Sequence, residues 1–203
     1  MAKAKASGSE AVAVTVGVGT VNDPAFKSAA YQAQAPRWTM LDDVAEGTDA
    51  LRAKGVASLP KAPGEDDETF TRRLGRSHFY NYYRRTRTAL VGRVMRKPPK
   101  LGDDADATLR QHAENIDGQG EHHAVFARRF LTLGMHYGFA GILVDAPTSL
   151  EARLGRKPTI ADEKRAGQRP YWGRYSARQI LSYRTEVIGS VRRLTQLVLH
   201  EQH

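Results

Sequence analysis

Three groups of side chains have types and spacings that could support chemistry. Four internal histidines, His112, His122, His123 and His136, lie near Glu114 and Glu121 and invite a metal reading. His122 and His123 are adjacent, so on a helix they point about a hundred degrees apart. No His-Glu-x-x-His spacing occurs, and the four read as solvated residues on helix surfaces. Asp103, Asp104 and Asp106 could hold magnesium for a metal-dependent nuclease. That chemistry needs carboxylates converging from separate elements, and a local acidic turn is the commoner arrangement. Asp145 ends a predicted strand, where a catalytic carboxylate often sits; capping of the turn before Pro147 is the structural alternative. There is no Gly-x-Ser-x-Gly elbow, no Walker loop and no cysteine. The expectation is a protein that is not an enzyme and uses no metal or cofactor.

The third group is cationic. Between Thr69 and Gly102 there are ten basic residues and no carboxylate. A block of one sign repels itself unless something acidic lies close. Nucleic acid, an acidic partner and the chain's own flanking clusters, Glu65-Asp66-Asp67-Glu68 and Asp103-Asp104-Ala105-Asp106, all qualify, and the sequence leaves the choice open. Arg84, Arg85, Arg87, Arg93, Arg96 and Lys97 are the candidates for DNA binding or a subunit interface. If the partner is another copy, the favoured acidic counterpart is its Asp42-Asp43-Glu46 face.

The element that must position these cations is predicted to be one long helix over residues 79–100, halted by Pro98-Pro99. Helical spacing aligns Phe79, Tyr83, Leu90 and Val94 as candidate subunit-packing residues, with Tyr80, Val91 and Met95 beside them. Phe79, Tyr80, Tyr82 and Tyr83 among arginines suggest a base-stacking platform, although their helical spacing favours burial.

Around this helix the pattern is α+β, mainly helical, with a small β-sheet or hairpin in the C-terminal third. Residues 1–24 are expected to be a flexible arm that orders only against a neighbour. Residues 25–145 form a helical region: a short helix interrupted at Pro36, a helix from Trp38 to Lys54, one from Glu65 to Arg76, the central helix, a short polar helix over residues 104–115 and an amphipathic helix over residues 121–137. Gly134 and Gly138 mark either a close backbone approach or simply the end of that last helix. A buried strand is expected over residues 141–145, and residues 146–170 are expected to be an exposed loop. In the hairpin region, residues 171–203, a capping box at Ser176-Ala177-Arg178-Gln179 predicts one helical turn. Two β-like runs then join at Gly189-Ser190. The hairpin is read as the start of a sheet completed elsewhere.

With 203 residues the chain is long enough for one or two domains. Its 31 basic and 22 acidic residues favour contact with a polyanion. The longest apolar run, Phe139 to Val144, is far too short to span a membrane, and a soluble protein made inside the cell is expected.

The order of these segments resembles the N-terminal portion of the portal proteins of tailed bacteriophages. The likeness covers roughly residues 36–200. It is carried by Pro36-Arg37-Trp38, Gly47, Leu59-Pro60, Phe79-Tyr80-Asn81, Gly92 and Arg96-Lys97-Pro98-Pro99. Further on it is carried by Asp117-Gly118-Gln119-Gly120, the run from Gly138 to Asp145, Arg169-Pro170-Tyr171, and Tyr183-Arg184-Thr185 before Arg193-Leu194-Thr195. The resemblance implies a structural subunit of a homo-oligomeric ring, usually of twelve copies, at a capsid vertex of the virion and assembled in the host cytoplasm. Double-stranded DNA would pass through the ring. The major capsid protein, the head-tail adaptor and the terminase would be its partners, and the terminase would supply ATP hydrolysis. Residues 25–145 would belong to the outer wing. The sequence departs from the family in showing no convincing stem-and-clip section: a complete chain of 203 residues puts a full channel-forming subunit in doubt, whereas for a portion of a longer chain the departure means little. The alternative readings are a stand-alone basic nucleic-acid-binding module and a metal-dependent nuclease around Asp103, Asp104 or Asp145.

Overall fold

The computed structural model describes Asp23 and residues 25–147, 150 and 154–201; the predicted arm at residues 1–24 lies outside them except for Asp23. The architecture is α+β. Its helices are α1 (Ala29–Glu46), α2 (Thr48–Ala53), α3 (Asp67–Arg76), α4 (Tyr82–Val94), α5 (Ala107–Glu114), α6 (His123–Tyr137) and α7 (Ile160–Arg165). Four strands, β1 (Ala140–Asp145), β2 (Tyr171–Ser176), β3 (Ile180–Ile188) and β4 (Val191–Leu199), form two separate antiparallel pairs, β1 with β2 and β3 with β4.

Several boundaries differ from the sequence expectation, each for a local reason. α1 runs through Pro36 without a break, although proline has no N–H to return to the Gln32 carbonyl. The helix expected from Trp38 to Lys54 is cut at Gly47, whose φ of 104° favours glycine. A Cβ there would also sit 3.4 Å from the Asn81 amide nitrogen. The long central helix starts late: Ser77 is extended, and Asn81 caps α4 by accepting from the Arg84 N–H at 2.8 Å. The Asn81 amide also donates to the Val44 and Ala45 carbonyls at 2.7 and 3.0 Å, tying the start of α4 to the end of α1. At the other end α4 stops at Val94, before the twin prolines.

Gly138 is the left-handed cap of α6, its N–H bonding to Gly134 O at 2.9 Å, and a Cβ at Gly134 or Gly138 would meet nothing. The helix-end reading of these glycines is therefore the right one. The residues Ser176 to Gln179 do not open a helical turn. The Gln179 side chain accepts from both the Ser176 N–H and its hydroxyl, and β3 follows at once. The hairpin at Gly189-Ser190 forms as predicted, with Gly189 at φ 67°. Ile142 and Val144 of β1 are exposed, so that strand is not buried on both faces. Within residues 146–170, α7 forms and Leu150 is buried.

The apolar core is thin and lies between α1, α4, α6 and the β1–β2 pair. Trp38 on α1 is buried edge-on to Tyr31, Tyr137 and Phe139 and donates its indole N–H to Tyr137 O at 3.1 Å. Phe126 on α6 meets Trp172 of β2 edge-to-face and carries the Arg174 guanidinium over its other surface. Val91 and Met95 face inward from α4.

A polar cluster joins these elements. His136 of α6, only 7% exposed, stands between α1 and α4. Its Nδ1 faces two donors, the Tyr83 hydroxyl at 2.8 Å and Arg87 Nη1 at 2.5 Å, and so must be the acceptor. Its Nε2–H therefore donates to Asp42 Oδ1 at 2.9 Å. The Tyr137 hydroxyl donates to the same oxygen at 2.7 Å, and Arg178, from the β2–β3 turn, pairs with Oδ2. Burial alone would raise the Asp42 pKa; the hydrogen bonds from His136, Tyr137 and Arg178 outweigh it and leave the carboxyl below its usual range. Burial, then the bond to Asp42, pushes the Tyr137 phenol up to about 12.

His136→Phe keeps a ring of similar size but strands Asp42, Tyr83 and Arg87. It is expected to cost about 2–4 kcal/mol in urea unfolding. A loss under about 0.5 kcal/mol, typical of surface substitutions, would contradict the role given to this histidine.

Candidate interface on helix α4

The structure divides the cationic block in two. On α3, Arg72 and Arg73 are neutralised from within, and among the described residues Arg76 has no ion pair. Arg73 grips Glu65 through Nε and Nη2 at 2.8 and 2.7 Å, and Arg72 meets Glu68 at 2.7 Å. Asp66 caps α3 through the Thr69 N–H. The acidic cluster beyond α4 is used locally too: Asp106 caps α5 through the Leu109 N–H at 2.7 Å, and the Asp103 carbonyl accepts from Arg110. Neither cluster reaches α4.

On α4 only Arg87 turns inward, to His136 and across the Tyr83 ring at 5.7 Å. Among the described residues, the side chains of Arg84, Arg85, Arg93, Arg96 and Lys97 have no hydrogen bond or ion pair. The favoured acidic counterpart on a second copy is largely occupied in its own chain. Asp42 belongs to the His136 cluster, and Asp43 meets Lys54 at 3.2 Å. That pairing is therefore corrected: two of the three carboxylates are already neutralised.

The packing candidates separate similarly. Phe79 lies before the helix, half-buried, its N–H donating to Thr48 Oγ1 at 3.2 Å, so it does not continue the Tyr83 line. Tyr83 is engaged with His136. Leu90 and Val94 are 42% and 61% exposed, whereas the neighbouring line contributes the buried Val91 and Met95. Tyr80 and Tyr82, expected to be buried, are 71% and 68% exposed. α4 and the residues beside it thus carry two uncovered apolar side chains, Leu90 and Val94, which continue the Tyr83–Arg87 line toward the C-terminal end of the helix, together with two open aromatic rings and five free cations.

The other candidate sites are dispersed. His112 accepts from Arg169 at 3.1 Å, and burial followed by the Arg169 charge holds its pKa down. His122 caps α6 through the Ala124 N–H, and His123 donates to the Pro99 carbonyl at 3.0 Å. His136 is buried, which corrects its reading as a surface residue. Among the described residues no three His, Asp or Glu side chains gather where a metal could bind. Asp145 accepts from the Ala146 N–H at 2.8 Å and from the Tyr171 hydroxyl at 3.1 Å, the capping role foreseen as the structural alternative. Among the described residues no helix is long and apolar enough to cross a membrane.

The Glu65–Arg73 fork makes a pH prediction. The bonds from Arg73, then from the Ala62 N–H, hold the Glu65 pKa at about 2, below the ordinary carboxylate range. A lowered folded pKa gives stability that is complete above the unfolded pKa and is lost as pH falls toward the folded one. Glu65→Gln should therefore unfold at lower urea than the parent near neutral pH, and the gap should close between about pH 5 and pH 2. A gap that persists at the acid end would contradict this pairing.

Compared with known proteins, the chain matches no protein-family model and no curated protein.

Proposed function

We propose that the chain is a structural subunit of a portal-like ring at a phage capsid vertex, through which double-stranded DNA passes and on which terminase and head-tail adaptor dock. The observation that supports this most is the uncovered apolar pair Leu90 and Val94 on the C-terminal half of α4. Leu90 and Val94 are exposed on a helix whose inner side is fixed by Val91, Met95 and the His136 cluster. An apolar strip on a rigid helix, flanked by unpaired cations, is a surface suited to a neighbouring molecule. The resemblance to the wing portion of portal subunits supplies the kind of assembly. On this reading the protein acts by position and converts no substrate.

The test is the solution mass of the purified chain. A ring subunit gives a multi-copy closed species, and the paired substitution Leu90→Asp with Val94→Asp reduces it to monomer while leaving the melting temperature within a few degrees. A parent chain that stays monomeric at every concentration overturns the proposal.

A second reading, a basic nucleic-acid-binding module, is favoured by Tyr80 and Tyr82, whose open rings lie beside Arg84 and Arg85. It predicts binding to short nucleic acids that weakens steeply with salt. Replacing Arg84, Arg85 and Arg93 with alanine should flatten the log–log slope by up to about three units, at roughly 0.9 per phosphate contact. An unchanged slope assigns these arginines to protein contacts instead.

A further inference from the structure

The β1–β2 pair, helices α5 and α6 and the segment that follows α4 border an apolar cavity of about 330 Å³. Its walls include Leu101 from that segment, Phe126 and Phe130 from α6, Ile142 from β1 and Trp172 from β2. Ala113 on α5 and Ala127 on α6 are the small side chains that leave the space. Leu109 and Ile142 are exposed although they line it, so the cavity opens to solvent beside them. Protein interiors seldom leave room for more than a water molecule. An apolar cavity of about 150 Å³ already takes one benzene ring, so this one has room for two fused rings.

The polar side chains on the wall are few. Among the described residues it holds no carboxylate, ammonium or guanidinium, only the imidazoles of His112 and His123 and the indole of Trp172. His123 Nε2 faces the Pro99 carbonyl at 3.0 Å and therefore carries the hydrogen, since a carbonyl only accepts. The lone pair of the neutral ring then lies on Nδ1, which is shut off from solvent and has no partner among the described residues. An unpaired buried acceptor is costly, and native folds leave few of them. His112 adds no charge near neutral pH: burial, then the Arg169 guanidinium, holds its pKa below the ordinary value.

We propose that this cavity binds a small, neutral, two-ring aromatic molecule whose hydroxyl or N–H donates to His123 Nδ1. Each property of the ligand answers a property of the wall. Phe126 and Trp172, edge-to-face at 5.8 Å, suit a flat aromatic ring. A wall without charge suits a neutral molecule, because an ion would be desolvated there without a counter-charge. The unpaired acceptor calls for one donor and no more, the usual pattern of an apolar site with a few orienting polar groups. The inference does not rest on the ring proposal, since no residue of α4 lines the cavity.

The test titrates the full-length chain at pH 7 with indole, which has the donor, and with benzofuran, which has the same shape and lacks it. Indole should saturate one site per chain and bind roughly tenfold more tightly than benzofuran, the worth of about one hydrogen bond. His123→Phe should bind the two alike. Ala127→Phe, which fills the cavity, should abolish binding of both while the melting temperature holds or rises. The solution mass should be the same with and without saturating indole. No saturable binding of indole, or equal affinity of the parent chain for both probes, overturns the proposal, and these two titrations decide it even where a variant folds poorly. A preference that survives His123→Phe, or binding that survives Ala127→Phe, overturns it as well. So does an assembly that indole breaks apart, which would make the cavity the seat of another copy's side chain.

Discussion

One carboxylate, Asp42, fixes how the main elements meet. It is drawn out of water by its place between α1 and α6, and it stays ionised because His136, Tyr137 and Arg178 all donate to it. Those donors come from α6 and from the turn between β2 and β3, so the bonds set the approach of three separate parts of the chain. His136 extends the constraint. An imidazole with one nitrogen donating and the other accepting can pass a hydrogen-bond chain straight through, from Arg87 and Tyr83 on α4 to Asp42 on α1. Among the described residues no large side chain in the apolar core is completely buried. A satisfied polar cluster therefore carries much of the specificity that dense packing would supply elsewhere.

The same constraint gives α4 two unlike sides. Its inner side is committed: Tyr83 and Arg87 bind His136, while Val91 and Met95 fill the space beneath. The rest of the helix, Leu90 and Val94 toward its C-terminal end included, inherits what the fold does not use. Several of the carboxylates that might have answered its cations are engaged elsewhere. Glu65 and Glu68 hold α3, Asp66 and Asp106 cap helices, and Asp42 and Asp43 bind Arg178, His136 and Lys54. Part of the formal charge of +9 thus sits where, among the described residues, no carboxylate pairs with it. A partner for this side must be acidic, must be apolar enough to cover Leu90 and Val94, or both.

How much of this was legible in the sequence follows from the range of the interactions. Elements set by local chemistry were readable: the Gly189-Ser190 hairpin, the stripe of α6 and, as one of two readings, the glycine end at Gly138. What failed was decided at a distance. Asn81 breaks the central helix because its side chain binds the end of α1, some 36 residues away, and periodicity carries no trace of that. Pro36 resembles a helix stop, yet α1 continues through it. His136 looked like a surface residue because its partners Tyr83 and Asp42 are 53 and 94 positions distant. Within the candidate interface, the cation cluster was visible as composition, but which cations stay free depended on the tertiary use of each carboxylate. Arg87 is indistinguishable from its neighbours until the fold turns it inward.

The central claim is that the exposed part of α4 around Leu90 and Val94 is a surface covered by another molecule of the same chain. The most direct measurement is the reactivity of a single thiol, introduced as Val94→Cys into this cysteine-free chain, followed as protein concentration rises from nanomolar to tens of micromolar. The account predicts rapid modification of the dilute chain and strong protection, of order tenfold or more, once copies associate. A rate that stays constant across the whole range would contradict it.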